Sequence, residues 1–253
     1  MYYAQHNHMN QLSLAETAKK VHDIQSSLED RIYAPAKIQE LDRFGIKLPK
    51  DELPAPKVMS IASIEKSIDL IKSVWPAAYS ELSAYLSGII IVENENLRSM
   101  TGPTWFGAVF LGTKLLKEPN IVAISTSLVH EIGHMVLFAQ TALHSPMNDI
   151  RQEIYSPLVG RPRPALMAFH AQIALHRMLL WLFNLQSFLS NRKKQELWPE
   201  VSLKLVEKGI RDYTQMYQEG MRNLRTIPFT KDGGLPLMVD FESVSEMLEK
   251  INS

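Results

Sequence analysis

Two histidines that lie one helical turn apart are the residues best placed to do chemistry. The run Leu128-Val-His-Glu-Ile-Gly-His134 contains His-Glu-x-x-His, formed by His130, Glu131 and His134. Side chains four apart on a helix share a face, with about 5–6 Å between their Cβ atoms, so two imidazoles can converge on one ion. Composition alone would produce this motif in only about 1% of such chains. The spacing therefore predicts a mononuclear metal site with His130 and His134 as its first two ligands.

The composition limits what can complete such a site and what can bind the protein. The 253 residues include no cysteine, which excludes thiolate ligands, disulfides and iron–sulfur clusters and leaves histidines and carboxylates as metal ligands. Lysine plus arginine equals aspartate plus glutamate at 27 each, so no net charge attracts nucleic acid or an anionic membrane. We expect neither partner, and the sequence is compatible with a homo-oligomer. Residues 1–10 do not resemble a secretion signal, which predicts a cytoplasmic protein.

The segment that carries the motif has one polar stripe on an otherwise apolar helix, predicted over residues 126–143. A buried helix with a single polar stripe is typical of a helix that lines a cavity. Gly133 lacks a Cβ and would let a strand or a ligand approach the helix closely. The stripe consists of Ser127, His130, Glu131, His134 and Thr141.

The elements around this helix predict an α+β fold, mostly helical, with a small antiparallel sheet that leads into a zincin-like HExxH helix. Short β-branched runs predict strands at 88–92, 108–111 and 121–124. Helical periodicity predicts helices at 12–31, 61–75, 126–143, 165–190, 197–225 and 243–252, and a proline-rich connector lies at 48–56. We expect one catalytic domain over 1–253, with a helical part at 1–86, the sheet at 87–125 and the metal-binding and C-terminal helices at 126–253.

A catalytic ion is usually held by three protein ligands, so the motif needs a third. The metzincin pattern is excluded because its glycine and histidine positions hold Leu137 and Gln140. A thermolysin-like site would use Glu153, which lies in a proline-bounded segment predicted to be irregular. His144 follows the metal helix in a predicted loop, where an exposed histidine is the commoner state. His170 is the remaining candidate.

His170 lies in the apolar segment from Ala165 to Leu189, which is too polar in places for a membrane span and is predicted to be a buried helix. Its few polar residues include a stripe of period seven, made by His170, Arg177 and Asn184. An unpaired buried imidazole is costly, and a metal ion would satisfy it. A histidine satisfied by core hydrogen bonds explains the pattern equally well, so the residues alone leave both readings open.

Three blocks of this sequence resemble the iron and 2-oxoglutarate-dependent HExxH-type peptide β-hydroxylases found with ribosomally made, post-translationally modified peptides. The first block is the strand-like Phe106-Gly-Ala-Val-Phe-Leu111, and the second is the motif helix at 128–134. The third is Tyr155-Ser-Pro-Leu, then Arg163-Pro164, then His170, and it is the most specific because HExxH also occurs in many hydrolases. The resemblance covers about residues 60–225.

The resemblance implies an Fe(II) site with His170 as the third ligand. It also implies 2-oxoglutarate as co-substrate and a ribosomally made precursor peptide, hydroxylated at a β-carbon, as substrate. A carboxylate of 2-oxoglutarate needs a cation, and arginine binds a carboxylate through two hydrogen bonds. Arg163 is the expected partner because Pro164 suits the first position of a helix. Arg161 precedes it in the same tract, and Arg177, two turns along from His170, is the alternative that helix geometry suggests.

Glu131 divides the functional hypotheses. In a zinc-dependent HExxH metallopeptidase, with Glu153 as third ligand, Glu131 would be the general base that activates water. In an oxygenase the same residue would orient a histidine or contact substrate. An all-histidine triad suits zinc as well as iron, so the sequence leaves the metal open. A binding protein in which the ion only stabilises the fold is the third hypothesis.

Overall fold

Helices make up most of the chain in the computed structural model, which describes residues 58–92, 97–117, 120–142 and 144–252. The predicted helix at 12–31 and the proline-rich connector at 48–56 lie outside these residues. The helices are α1 (Val58–Val74), α2 (Pro76–Tyr85), α3 (Thr113–Lys117), α4 (Ile121–Thr141), α5 (Ala165–Leu189), α6 (Arg192–Leu197), α7 (Leu203–Leu224) and α8 (Leu235–Asn252). The strands are β1 (Gly88–Val92), β2 (Ser99–Met100), β3 (Ala108–Gly112), β4 (Glu153–Ser156) and β5 (Arg161–Pro164). This is the predicted α+β class.

The three-stranded sheet is mixed, so the prediction of an antiparallel sheet was wrong in part. Its order is β1-β3-β2, with β1 parallel to β3 and β2 antiparallel to it. The chain passes from β1 to the far side of the sheet, forms β2, and returns through the short 3-10 turn at Pro103–Trp105 to enter between the two strands. β1 and β3 thus run in the same direction, and β2 runs opposite to both. All five residues of β3 are buried.

The predicted strand at 121–124 is the first turn of α4, and this prediction was also wrong. The Oδ1 atom of Asn120 accepts hydrogen bonds from the N–H groups of Val122 and Ala123, at 3.0 and 3.2 Å. Asn120 is therefore the N-cap and satisfies donors that a helix start leaves free. A short β-branched run has the same sequence pattern in a buried strand as in a buried helix. Here the Asn120 cap marks the start of a helix.

The segment predicted to be irregular around Glu153 is a hairpin of β4 and β5. Ile154 pairs with Arg163 and Ser156 pairs with Arg161, so these four side chains lie on one face, while Glu153 lies on the other. Ile154 and Ser156 are buried and Glu153 is exposed. The face that carries Arg163 is therefore the inward face of the hairpin.

The two prolines of β5 lie at positions that do not bond to β4. Just beyond the end of β5, the N–H of Ala165 donates to the carbonyl of Gln152 at 2.7 Å. Hydrogen-bonded and non-hydrogen-bonded pairs alternate along an antiparallel ladder, and Ala165 therefore marks which residues of β5 are bonded to β4. Pro162 and Pro164 lie at the non-hydrogen-bonded positions, so the ladder loses no hydrogen bond through their missing N–H groups. Pro164 ends β5 as the N-cap of α5, one residue before the first helical position predicted for it.

The long helix α5 is the centre of the fold and packs against α4 on one side and α7 on the other. Its buried side chains enter both hydrophobic clusters, with Trp181 in one and Phe169 in the other. α4 and α5 are long and apolar enough to cross a membrane by length and composition, but 72% and 61% of their apolar windows are buried inside the fold. The mostly buried core helices of soluble proteins are often as long and as apolar, so the length and composition of α4 and α5 are weak evidence for a membrane span. α5 begins and ends where the sequence predicts, within one residue.

Candidate metal centre

The two motif histidines converge as their spacing predicts. The Nε2 atoms of His130 and His134 are 3.1 Å apart, and their rings meet at 75°. Two nitrogens that each lie about 2.1 Å from one ion are about 3.0–3.4 Å apart for ligand angles of about 90–110°. The pair therefore fits a single ion. The side chain of His130 is 23% exposed, so the cluster reaches the surface at this residue.

Both motif histidines are neutral near pH 7, which metal binding requires. Burial first, and the charge of Arg98 second, lower the pKa of His130 to about 4. Burial also lowers the pKa of His134 well below its usual value, with further contributions from His130, His170 and Arg163. The Nδ1 atom of His134 is buried without a hydrogen-bond partner in the part of the chain that the structure describes. An ion bound by Nε2 of His134 would leave this nitrogen unpaired as well, so the orphaned atom does not distinguish a metal ligand from a core histidine.

His170 approaches the pair from α5. Its ring is stacked on that of His134, with 5.6 Å between centroids and 29° between planes, and it also contacts Phe138 at 5.1 Å. Burial, then the charge of Arg163, lower its pKa to about 4, so it too is neutral. The structure thus brings together the three histidines that the sequence singled out, two from α4 and one from α5.

Glu131 is the buried carboxylate of the cluster, with 2% of its surface exposed. It, His130 and His134 present ligand atoms that all lie within 4.8 Å of one another. Oε1 of Glu131 lies 3.8 Å from Nε2 of His130 and accepts a 2.6 Å hydrogen bond from the hydroxyl of Ser99. Burial raises its pKa to about 7, against the opposing effect of the hydrogen bonds from Ser99 and from the backbone N–H of Thr101.

The edge strand β2 lies beside the metal helix, and the sequence analysis missed it. In addition to the Ser99 contact, Nε of Arg98 donates to the hydroxyl of Ser127 at 3.2 Å, one turn before His130 on α4. Arg98 has no carboxylate partner among the described residues. β2 has only two residues, so no periodicity in the sequence marks it. Its contacts give the cluster a cation at the His130 end.

Arg163 lies near the other end of the cluster, as the sequence analysis expected. It is on the inward face of the hairpin, and its charge acts on both His134 and His170. Like Arg98, it has no ion-pair partner within the described ranges. Arg161 lies on the same hairpin face but is exposed, and its charge is not among those that shift the histidines. Of the two, Arg163 is placed to bind an anion beside the cluster.

Arg177, the geometric alternative for anion binding, is engaged elsewhere. Its guanidinium forms an ion pair with Glu81 of α2 through both terminal nitrogens, and it lies over the ring of Trp75 at 4.7 Å. Its side chain is 14% exposed. Arg177 lies two turns from His170, as predicted. Its guanidinium is already paired with the carboxylate of Glu81, so it is not free to bind a carboxylate of a ligand.

The two other candidate third ligands lie apart from the cluster. Glu153 is exposed on the outward face of β4, and His144 is exposed in the segment after α4. Neither belongs to the metal-ligating group that the described residues form around His130. His170 is also outside that group, which consists of His130, Glu131 and His134, but its ring is stacked on that of His134, so among the three candidates it is the one that lies beside the motif pair.

The donor set fits a divalent ion of the first transition series. Imidazole nitrogens suit iron, zinc and related metals, and a buried carboxylate, that of Glu131, lies among the same ligand atoms. Such an ion attracts anionic ligands, and Arg98 and Arg163 add to that attraction. In comparisons with known proteins, no family model matches the chain and no curated protein matches it. The resemblance to the peptide β-hydroxylases therefore depends on the three sequence blocks alone and remains a prediction.

Proposed function

We propose that this protein is a cytoplasmic, non-haem iron, 2-oxoglutarate-dependent oxygenase that hydroxylates a β-carbon in a ribosomally made precursor peptide. The observation that carries the proposal is the meeting of His130, His134 and His170 beside the cationic Arg163. A peptide hydroxylase needs three protein ligands on the ion, open positions opposite them, and a cation for the co-substrate. The sequence blocks that resemble the hydroxylases supply these same residues.

The overall reaction balances without any other reductant. One atom of dioxygen enters the peptide C–H bond as a hydroxyl, and the other enters succinate as 2-oxoglutarate loses carbon dioxide. His130, His134 and His170 would hold the iron ion, which would supply the site at which 2-oxoglutarate and dioxygen react. The chain's own residues bind and orient the reactants. Arg163 would hold the carboxylate of 2-oxoglutarate that lies away from the iron, through two charge-assisted hydrogen bonds.

Glu131 has a supporting role in this proposal. Its carboxylate accepts hydrogen bonds from Ser99 and from the backbone of Thr101, so it links the edge strand to the metal helix. A carboxylate engaged in this way can fix the strand over the cluster and orient His130, which lies 3.8 Å away. The oxygenase reaction does not require Glu131 to act as a general base.

The experiment for this proposal uses the full chain with ferrous iron, oxygen, 2-oxoglutarate and the precursor peptide encoded beside its gene. The expected result is succinate together with a peptide that is heavier by one oxygen atom. Fragmentation of the product would locate that atom on a β-carbon. If neither succinate nor the heavier peptide forms, the oxygenase proposal is wrong.

A zinc peptidase with a zincin-like motif helix is the second candidate, because Glu131 has a pKa of about 7 beside His130. A general base is most effective when its pKa lies near the working pH. The exposed Glu153 would have to reach the ion from the outward face of β4, or His170 would have to be the third ligand. Proteolysis that zinc restores after chelation, and that Glu131→Gln abolishes, would establish this candidate over the first.

A further inference from the structure

At Gly133, side chains of α5 lie directly against the helix that carries the motif histidines. A Cβ added to Gly133 would lie 2.8 Å from Cγ of Arg177 and 3.6 Å from Cγ2 of Ile173. Carbon atoms do not approach to 2.8 Å, so the side chain of Arg177 or one of the two helices would have to shift. The close approach that the sequence predicts for a strand or ligand is made by side chains of α5.

The same face of α5 carries His170. Residues 170, 173 and 177 are spaced three and four apart, so they form one stripe along the helix. His170 stacks on His134, and Ile173 and Arg177 cover the adjacent residue Gly133. Any displacement of α5 at Gly133 therefore also moves His170 relative to the motif pair.

Arg177 is fixed at its far end as well. Its guanidinium is paired with Glu81 and packed on Trp75, so the side chain spans from α5 across Gly133 to α2. A bidentate pair holds an arginine in one orientation, which a lysine could not reproduce. We call Gly133, Arg177, Glu81 and Trp75 the Arg177 clamp.

We propose that the Arg177 clamp positions the third ligand, because it sets the distance between the helix of His170 and the helix of His130 and His134. Arg177 is thus a positioning residue that acts on the metal through α5 and touches no substrate. The proposal rests on the metal site of the proposed function but not on the reaction. It predicts that metal affinity depends on a glycine and an arginine that ligate nothing.

The test is a double-mutant cycle on the full chain, read by zinc affinity in competition with a chromophoric chelator and by the visible spectrum of bound cobalt(II). Gly133→Ala should weaken zinc binding by about 10–100-fold, the range typical of residues that orient metal ligands. Arg177→Ala should do the same. In the double variant the added methyl has room, so its affinity should be within about 2-fold of Arg177→Ala alone.

Gly209→Ala is the matched control. Gly209 lies on α7. A Cβ added to it would lie 2.9 Å from Cδ1 of Leu182, which is also on α5 but away from His170. This variant should lower the melting temperature of the metal-free protein and leave zinc affinity and the cobalt spectrum unchanged. A loss of affinity as large as that of Gly133→Ala would show that any disturbance of α5 suffices, and it would overturn the clamp.

Glu81→Gln is a second test of the Arg177 clamp that does not depend on the folding of Gly133→Ala. It removes the charge pair at the end of Arg177 without adding volume, and it should weaken zinc binding several-fold. The clamp is overturned if Glu81→Gln leaves zinc affinity unchanged, or if Gly133→Ala has equal effects with and without Arg177. A protein that binds zinc with this dependence but forms no succinate would contradict the oxygenase proposal and leave the clamp standing.

Discussion

The hydroxyl of Ser99 donates a 2.6 Å hydrogen bond to Oε1 of Glu131, and this bond joins the edge strand β2 to the metal helix α4. Glu131 is 2% exposed, so water cannot replace a lost donor easily. A buried carboxylate that loses one hydrogen bond is destabilised more than an exposed one. The bond therefore stabilises the fold at the site as well as orienting Glu131.

Ser99→Ala should lower the free energy of unfolding at pH 8 by about 1.5–3 kcal/mol, the usual contribution of a hydrogen bond to a charged group. Urea denaturation of the metal-free protein measures this change. Ser80→Ala is the control, because the Ser80 hydroxyl is exposed and donates to the carbonyl of Pro76 in its own helix. Its effect should stay within about 0.5 kcal/mol. Equal effects of the two substitutions would contradict the role given to Ser99.

His170→Ala should weaken metal binding by more than the roughly 10–100-fold that loss of an orienting residue costs, because it removes one of three ligands. Glu153→Ala and His144→Ala should leave the metal in place, since both residues are exposed and outside the cluster. Metal content after dialysis against a chelator gives the comparison. Retention of metal by the His170 variant together with its loss from the Glu153 variant would identify the peptidase ligand set instead.

Arg163→Gln should raise the Kd for 2-oxoglutarate by roughly 10–150-fold, which corresponds to about 1.5–3 kcal/mol for hydrogen bonds between charged groups. Metal affinity without 2-oxoglutarate should change little. Isothermal titration of 2-oxoglutarate into the metal-loaded protein measures the first quantity, and titration of the metal into the metal-free protein measures the second. Arg161→Gln is the control from the same hairpin face, where the arginine is exposed. A larger effect of Arg161→Gln would reverse the assignment of the two arginines.

His176 should make the protein less stable as the pH falls from about 6.5 to about 4. Burial, then the charge of Arg177, lower its pKa from 6.5 to about 4, and its Nδ1 lies 3.2 Å from the hydroxyl of Tyr217. Between these pH values the unfolded chain binds a proton that the folded chain does not, so stability is lost as the pH falls. The upper limit is about 3 kcal/mol.

The measurement is the free energy of unfolding of the metal-free protein at pH 7 and pH 4.5, for the natural sequence and for His176→Gln. The variant should lose less stability over this interval, whatever its stability at pH 7. The three histidines of the cluster contribute equally to both proteins and cancel in the comparison. The same pH dependence in both proteins would mean that His176 titrates normally in the fold.

The sequence predicted the parts of this fold that repeat a pattern over many residues. The helix that carries His170 extends over 25 residues with an apolar period, and the structure confirms it almost to the residue. The convergence of His130 and His134 follows from their spacing on a helix, which local geometry determines. Whether His170 ligates the ion stays a prediction, but its place beside His134 is as expected.

The parts that were not predicted depend on contacts between distant residues or on short elements. The run from Ile121 is the first turn of a 21-residue helix that Asn120 caps, and its hydrophobicity does not distinguish helix from strand. Arg177 pairs with Glu81, which lies 96 residues earlier, so helix geometry could give its direction but not its partner. The two residues of β2 are too few to show alternation, although Ser99 contacts the site.

The alternating prolines of β5 have a consequence for the solubility of the protein. Pro162 and Pro164 direct their nitrogens away from β4, and no described strand pairs with that outer edge. An incoming strand would find carbonyl acceptors there but no N–H donors, so it could form only half of a ladder. The outer edge of β5 can therefore stay unpaired without serving as a template on which a second copy of the chain could polymerise.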